Sequence, residues 1–238
     1  TAFLGSIQAG VVPIAANTLL TASDYDFMLG DSRACALVVS EALWPQFASI
    51  VGKHKHLKHV IVSGKDGKGK LLFSDLMAKA SAQFEPAPTT CDDMCFWLYS
   101  SGTTGKPKAV MHPHRSVLVA DRLERDYLGV RPGDRVFTTS KIFFGFALGH
   151  SLMGGLQCGA TIILSPAWPE PALIIAAVER HRPTVLFSTP VMYRNLLREG
   201  APVRPAFRDI RHFVSAGEKL PAPLYEDWLE LCGKPILD

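Results

Sequence analysis

The sequence predicts an α/β protein made of two βαβ-type subdomains, each with a mostly parallel sheet flanked by helices. Three observations predict it. Short β-rich apolar runs alternate with helix-like stretches along the chain. Its 238 residues are 47% hydrophobic, enough to bury one large core or two smaller ones. The segment FEPAPTT at 84–90 gathers Pro and Thr between two patterned regions and reads as a connection, giving subdomains at 1–90 and 91–238.

The opening TAFLGSIQAG has the pattern of a helix interior and not of a targeting peptide, so the natural start is expected upstream of Thr1. VVPIAAN, ACALVVS and HVIVSG then read as β-rich runs, with the helix-like SDYDFMLGDS between the first two. GKDGKGK at 64–70 reads as a solvated turn, because a phosphate loop of that composition would need a helix directly after it. Beyond residue 90 the order is FWLYSS, a helical stretch over 116–128, RVFTTS, a Gly-containing helix after Gly145, TIILS, a helix over 171–182, TVLFST, a helix over 191–198, HFVSAG, and a helix over 223–232 leading into PILD. That last apolar run should continue into a loop, so the natural end is expected downstream. No repeat of fixed period or low-complexity tract is visible.

The net charge of +3 is small and not gathered into a basic tract, which argues against nucleic acid or a lipid surface as partner. Apolar runs fall short of the roughly 20 residues that cross a bilayer, so no membrane span is expected. Five cysteines, odd in number and without paired zinc spacing, read as reduced thiols of a cytoplasmic protein, and no protein metal site is expected.

The most informative stretch is YSSGTTGKPK at 99–108, directly after an apolar strand. Gly102 and Gly105 let the backbone approach an anion, while Ser100, Ser101, Thr103 and Thr104 add hydroxyls to the exposed amides. No acidic residue occurs between residues 94 and 120, whereas Lys106, Lys108 and Arg115 do. One lysine at about 4 Å from a phosphate charge contributes roughly 4 kcal/mol at an effective dielectric near 20, before desolvation is subtracted. Neither GxxxxGK[ST] nor GxGxxG fits the loop, which argues against a P-loop kinase.

In this order the ten residues resemble the phosphate loop of the acyl-adenylating (AMP-forming) superfamily, most like its benzoate and aryl-CoA ligases. Ala109 stands where that loop usually ends in glycine. The resemblance implies that the chain is an incomplete portion of the large domain. It further implies that Ser100, Ser101, Gly102, Thr103, Thr104, Gly105, Lys106 and Lys108 hold ATP, with Thr103 and Lys108 serving catalysis.

Two further segments fit. KIFFGFALGHSLMGGLQCGATIIL at 141–164 is similar to the segment that opens the acyl pocket, implying Phe144, Gly145, Phe146 and His150 as substrate contacts. With a helix starting near Gly145, Phe146 and His150 share one face, as do Gly145 and Gly149. Members that activate α-amino acids usually carry an acid just after the first aromatic, as a counter-charge for the ammonium. FFGFAL has none, which points to an aromatic carboxylate. HFVSAGEKLP at 212–221 resembles the adenine-side wall, assigning Ser215, Ala216, Gly217 and Glu218 to the nucleotide.

The implied reaction joins an aromatic carboxylate to Mg2+-ATP and then to coenzyme A. Its metal-side glutamate, ribose aspartate and C-terminal lysine are expected beyond Asp238, so the chain alone should be nearly inactive. Alternatives are an aryl-acid or fatty-acyl adenylating enzyme with another acceptor, or a nucleotide-binding module without chemistry. Oligomeric state is not legible in these residues.

Overall fold

The computed structural model describes residues 1–100 and 105–238. The chain forms two compact units, Thr1–Met111 and His112–Asp238.

In the first unit, helix α1 (Ala2–Gln8) precedes α2 (Ala22–Ser32), which begins at a capping box: Thr21 accepts from the Asp24 amide while the Asp24 carboxylate accepts from the Thr21 amide. Strand β1 (Ala36–Ser40), a short helix α3 (Trp44–Phe47), and strands β2 (His59–Ser63) and β3 (Leu71–Leu72) follow. The three strands are parallel in the order β1-β2-β3. Tyr25 stacks on Phe47, 4.4 Å between ring centres, over a core of Leu29, Val39, Ile50 and Val62. GKDGKGK is indeed a turn, with Lys68 and Gly69 both at positive φ. Helix α4 (Phe73–Lys79) leads to β4 (Met94–Ser100), which pairs with β5 (Lys108–Pro113).

VVPIAAN does not become a strand; it makes only a parallel bridge, Ile14 to Trp97, with the Trp97 amide donating to Pro13 O at 3.0 Å. Pro13 lacks the amide a ladder requires. These contacts, and the Ala87 amide on Gln8 O, tie β4 and the segment before it to the first unit. The compactness boundary therefore falls within β5, between Met111 and His112, whereas the composition boundary at 90 falls before β4.

The second unit is a five-stranded sheet. Helix α5 (His114–Leu118) and a π-helical turn (Leu123–Tyr127) precede β6 (Arg135–Thr138). A π-helical segment (Ala147–Gly154) runs into α6 (Gly155–Gln157), then β7 (Thr161–Ile163), α7 (Pro171–His181), β8 (Val185–Ser188), α8 (Pro190–Arg198), α9 (Pro205–Arg208), β9 (His212–Ser215), α10 (Ala222–Cys232) and β10 (Ile236–Leu237). All its pairings are parallel, in the order β10-β9-β8-β6-β7.

Alternate strand residues feed opposite cores. Phe137, Leu186 and Phe213 pack under α7, α8 and α10 with Tyr193 and Trp228. Val136, Val185, Phe187 and Val214 face the other way, against Leu123, Leu128 and Phe146. Burial on both faces is why these strands read as unbroken apolar runs. The helix expected over 116–128 is interrupted. Its α-helical part ends at Leu118, and the chain resumes as a π turn that carries Glu124 into the interior.

Candidate active site

In the second unit, β6 is followed by β7 on one side, and the chain then crosses to place β8 on the other. The strand order thus reverses between β6 and β8, and in open parallel sheets ligands bind outside the carboxyl ends at such a point. Here the Thr139 and Ser188 hydroxyls, both buried, lie 2.7 Å apart, and the Thr139 amide donates to Phe187 O at 3.0 Å. Ser215 is in register with Ser188, and its buried hydroxyl has no hydrogen-bond partner among the described residues.

The predicted acyl-pocket residues leave the carboxyl end of β6. Phe144 is exposed and rests against Phe143 at 4.6 Å, and Gly145 is exposed beside it. Phe146 meets the edge of His150 at 5.8 Å and of Phe187 at 5.6 Å, while His150 lies nearly parallel to Phe187, 11° between planes and 6.2 Å between centres. Phe146 and His150 do share a face, as four-residue spacing requires. Phe187 was not foreseen, since within TVLFST nothing distinguishes it from a core residue.

Lys141, next to this segment, donates to the carbonyls of Ser165, Pro166 and Ala167 and faces the Trp168 ring at 5.9 Å. Burial holds its ammonium pKa below the ordinary value. These contacts fasten it to the 165–168 loop.

Glu124 was missed as well. It is completely buried, and its Oε1 lies 3.1 Å from His150 Nδ1. A charged run, DRLERD, ordinarily marks a solvated face, so sequence gave no signal of burial.

Of the residues expected on the adenine side, Ser215 ends β9, and the Ala216 amide donates to Ser188 O at 3.4 Å. Gly217 has φ +98°, a conformation a side chain rarely adopts. Glu218 Oε1 accepts from the Val191 amide at 3.1 Å, within the first turn of α8, where free amides attract a carboxylate. The Ser215–Glu218 turn is thereby fastened to β8 and α8.

The phosphate-loop candidates belong to the first unit. Ser101, Gly102, Thr103 and Thr104 lie outside the described residues. The Ser100 hydroxyl donates to Lys108 O at 3.5 Å, and Gly105 has φ +87°. Lys106 stands over the Phe27 ring at 5.5 Å, a cation–π contact. Lys108 is exposed at the start of β5. At the head of the loop, the Tyr99 hydroxyl donates to Asp31 Oδ2 at 2.6 Å; burial, then this carboxylate, raises the phenol pKa well above its ordinary value. Among the described residues no three His, Cys, Asp or Glu side chains gather to hold an ion, and no helix is long and apolar enough to cross a membrane.

The whole chain, residues 1–238, matches the family described as AMP-binding enzyme. It is 52% identical over 239 residues to a 3-hydroxybenzoate–CoA/4-hydroxybenzoate–CoA ligase of Thauera aromatica, covering 100% of the chain and 46% of that relative. It is 44% identical to a benzoate–CoA ligase of the same organism, covering 100% and 45%. Among solved structures, an anthranilate CoA ligase in complex with anthranoyl-AMP superposes with TM-score 0.90 at 31% identity, covering 99% of this chain and 46% of that one. A benzoate CoA ligase from Burkholderia xenovorans LB400 gives TM-score 0.84 at 36% identity, covering 99% and 46%. The chain thus spans about 46% of the length of the relatives it matches.

Proposed function

Because the chain belongs to the AMP-binding enzyme family along all 238 residues, we propose that it supplies the residues that bind ATP and the acyl substrate in the activation of a benzoate-type aromatic carboxylate. In this reading a carboxylate oxygen attacks the α-phosphorus of ATP, pyrophosphate leaves, and the acyl-adenylate is captured by the thiol of CoA with release of AMP. The observation that carries it is the aromatic wall of Phe146, His150 and Phe187 beside the point where the strand order reverses. Those rings offer an apolar surface to a flat substrate, and none of the residues 143–149 is acidic, so no counter-charge is provided for an ammonium. The relatives named as benzoate and hydroxybenzoate CoA ligases support the same substrate class and acceptor.

The roles proposed are positional and electrostatic. Ser100, Ser101, Gly102, Thr103, Thr104 and Gly105 offer hydroxyls and amides to the phosphates, and Lys108 stabilises charge that builds as pyrophosphate departs. Lys106, resting on Phe27, contributes positive potential. Ser215, Ala216 and Gly217 flank the adenine, and Glu218 holds that turn on α8. Phe144, Gly145, Phe146 and His150 receive the aromatic ring. Mg2+ enters with ATP as its counter-ion, and the steps assigned to this chain's residues do not run through it. The reading includes a cytoplasmic location, supported by the unbridged thiols of Cys35, Cys95, Cys158 and Cys232.

The test is a panel of acids offered to the full-length gene product with ATP and CoA, with thioesters read by mass. Benzoate and its hydroxy derivatives should react, and octanoate and phenylalanine should not. A preference for octanoate or phenylalanine would overturn the proposal.

A further inference from the structure

We propose that Glu124 is a positioning residue that holds His150 in a single tautomer, so that His150 Nε2 accepts a hydrogen bond from a hydroxyl on the substrate's aromatic ring. The proposal rests on the aryl-acid reading above and specifies which ring substituent that site prefers.

Glu124 is an unusual residue to bury. Its neighbours in sequence do not neutralise it: Arg125 pairs with Asp121 and Asp126 instead. Among the described residues Oε1 has one partner, His150 Nδ1 at 3.1 Å, and the buried Oε2 has none. A fully buried carboxylate with a single partner costs stability, and an orphaned buried polar atom calls for an explanation other than folding.

The backbone is built to bring the pair together. Glu124 lies on the π-helical turn Leu123–Tyr127 and His150 on the π-helical segment Ala147–Gly154. Such insertions into helices recur at functional sites, because the extra residue per turn re-aims side chains. Gly154 leaves the space: a Cβ there would stand 2.6 Å from Glu124 Oε2 and 2.7 Å from Ala120 O. Its own backbone is ordinary right-handed helix, φ −63°, so this glycine serves clearance and not conformation.

The imidazole is then held on several sides. Nδ1 meets the carboxylate, one face lies on Phe187, and Phe146 meets it edge-on. The His150 side chain is 37% exposed, and Nε2 has no hydrogen-bond partner among the described residues. An ionised carboxylate only accepts, so the proton of the neutral ring sits on Nδ1 and Nε2 keeps a lone pair. That lone pair accepts from a phenolic O–H. A methoxy group or a bare C–H cannot satisfy it, and sites built for a hydrogen bond reject analogues lacking the donor.

Two measurements test this. In the full-length gene product, long-range 1H–15N correlation spectra should show His150 with Nδ1 protonated and Nε2 unprotonated; a protonated Nε2 overturns the proposal without any substitution being made. In the full-length gene product, Glu124→Gln should lower the kcat/KM ratio of 3- or 4-hydroxybenzoate to benzoate roughly tenfold through KM, while benzoate itself changes by less than about threefold. An unchanged ratio, or equal losses for both acids, would reduce Glu124 to a structural residue and overturn the proposal. If the wild type activates no aromatic acid, the aryl-acid reading fails and this proposal falls with it. A wild type that uses 3-methoxybenzoate as well as 3-hydroxybenzoate contradicts the tautomer argument while leaving the aryl-acid reading intact.

Discussion

At the scale of single residues, charge placement explains both stability and the candidate chemistry. Asp134 is buried beside Arg211 Nη2 at 2.8 Å, Thr184 Oγ1 at 2.7 Å and the Arg131 amide at 3.0 Å. Burial raises its carboxyl pKa, but the hydrogen bonds from Thr184, Arg131 and Arg211 outweigh it and hold the group below its ordinary 3.8. A depressed carboxyl stabilises the fold above the unfolded-state value, and that contribution disappears as pH falls through the folded-state value. Asp134→Ala should therefore lose about 1.5–3 kcal/mol near neutrality, with the gap to wild type in urea midpoints closing below pH 3.8. An equal gap at all pH values would contradict the assignment. Lys108→Ala should raise KM for ATP roughly 10- to 100-fold, consistent with one screened phosphate contact. An unchanged KM would remove Lys108 from the phosphates.

How legible these residues were depends on the signal each carries. Lys108, Gly217 and His150 sit in ordered motifs, and their residue types follow from what a loop, a turn or a pocket needs. Glu124, Phe187 and the Thr139–Ser188 pair are set by tertiary contacts between segments 26 to 49 residues apart, which local spacing cannot express.

At the scale of elements, the strands of the second unit were legible because both sheet faces are buried, and the helices over 171–181, 190–198 and 222–232 begin at Pro-marked starts. The π-helical segments were not. An apolar 3.6-residue period and its π variant look alike in sequence, and the deviation arises where Glu124 and His150 must meet. Gly154→Ala tests that packing. Its methyl would crowd a backbone carbonyl as well as the carboxylate, so the variant should lose about 1–3 kcal/mol in chemical unfolding, despite alanine's better helix propensity. A stabilised variant would show that the close approach is not what the glycine serves.

At the scale of the molecule, sequence alone supported parallel α/β architecture and two parts. The compact units divide between Met111 and His112, within β5 and not at residue 90, because main-chain bonds from Trp97 and Ala87 to the first unit are invisible in composition. The chain spans about 46% of its relatives, so the 238-residue chain by itself should support little or no ATP–pyrophosphate exchange; vigorous exchange would show that these residues complete the chemistry alone. The central claim, activation of an aromatic carboxylate by adenylation, is most directly tested by benzoate-dependent ATP–pyrophosphate exchange in the full-length gene product. The account predicts exchange that requires benzoate or a hydroxybenzoate and proceeds without CoA. Exchange indifferent to aromatic acids, or acyl-CoA formation accompanied by ADP and phosphate in place of AMP and pyrophosphate, would contradict it.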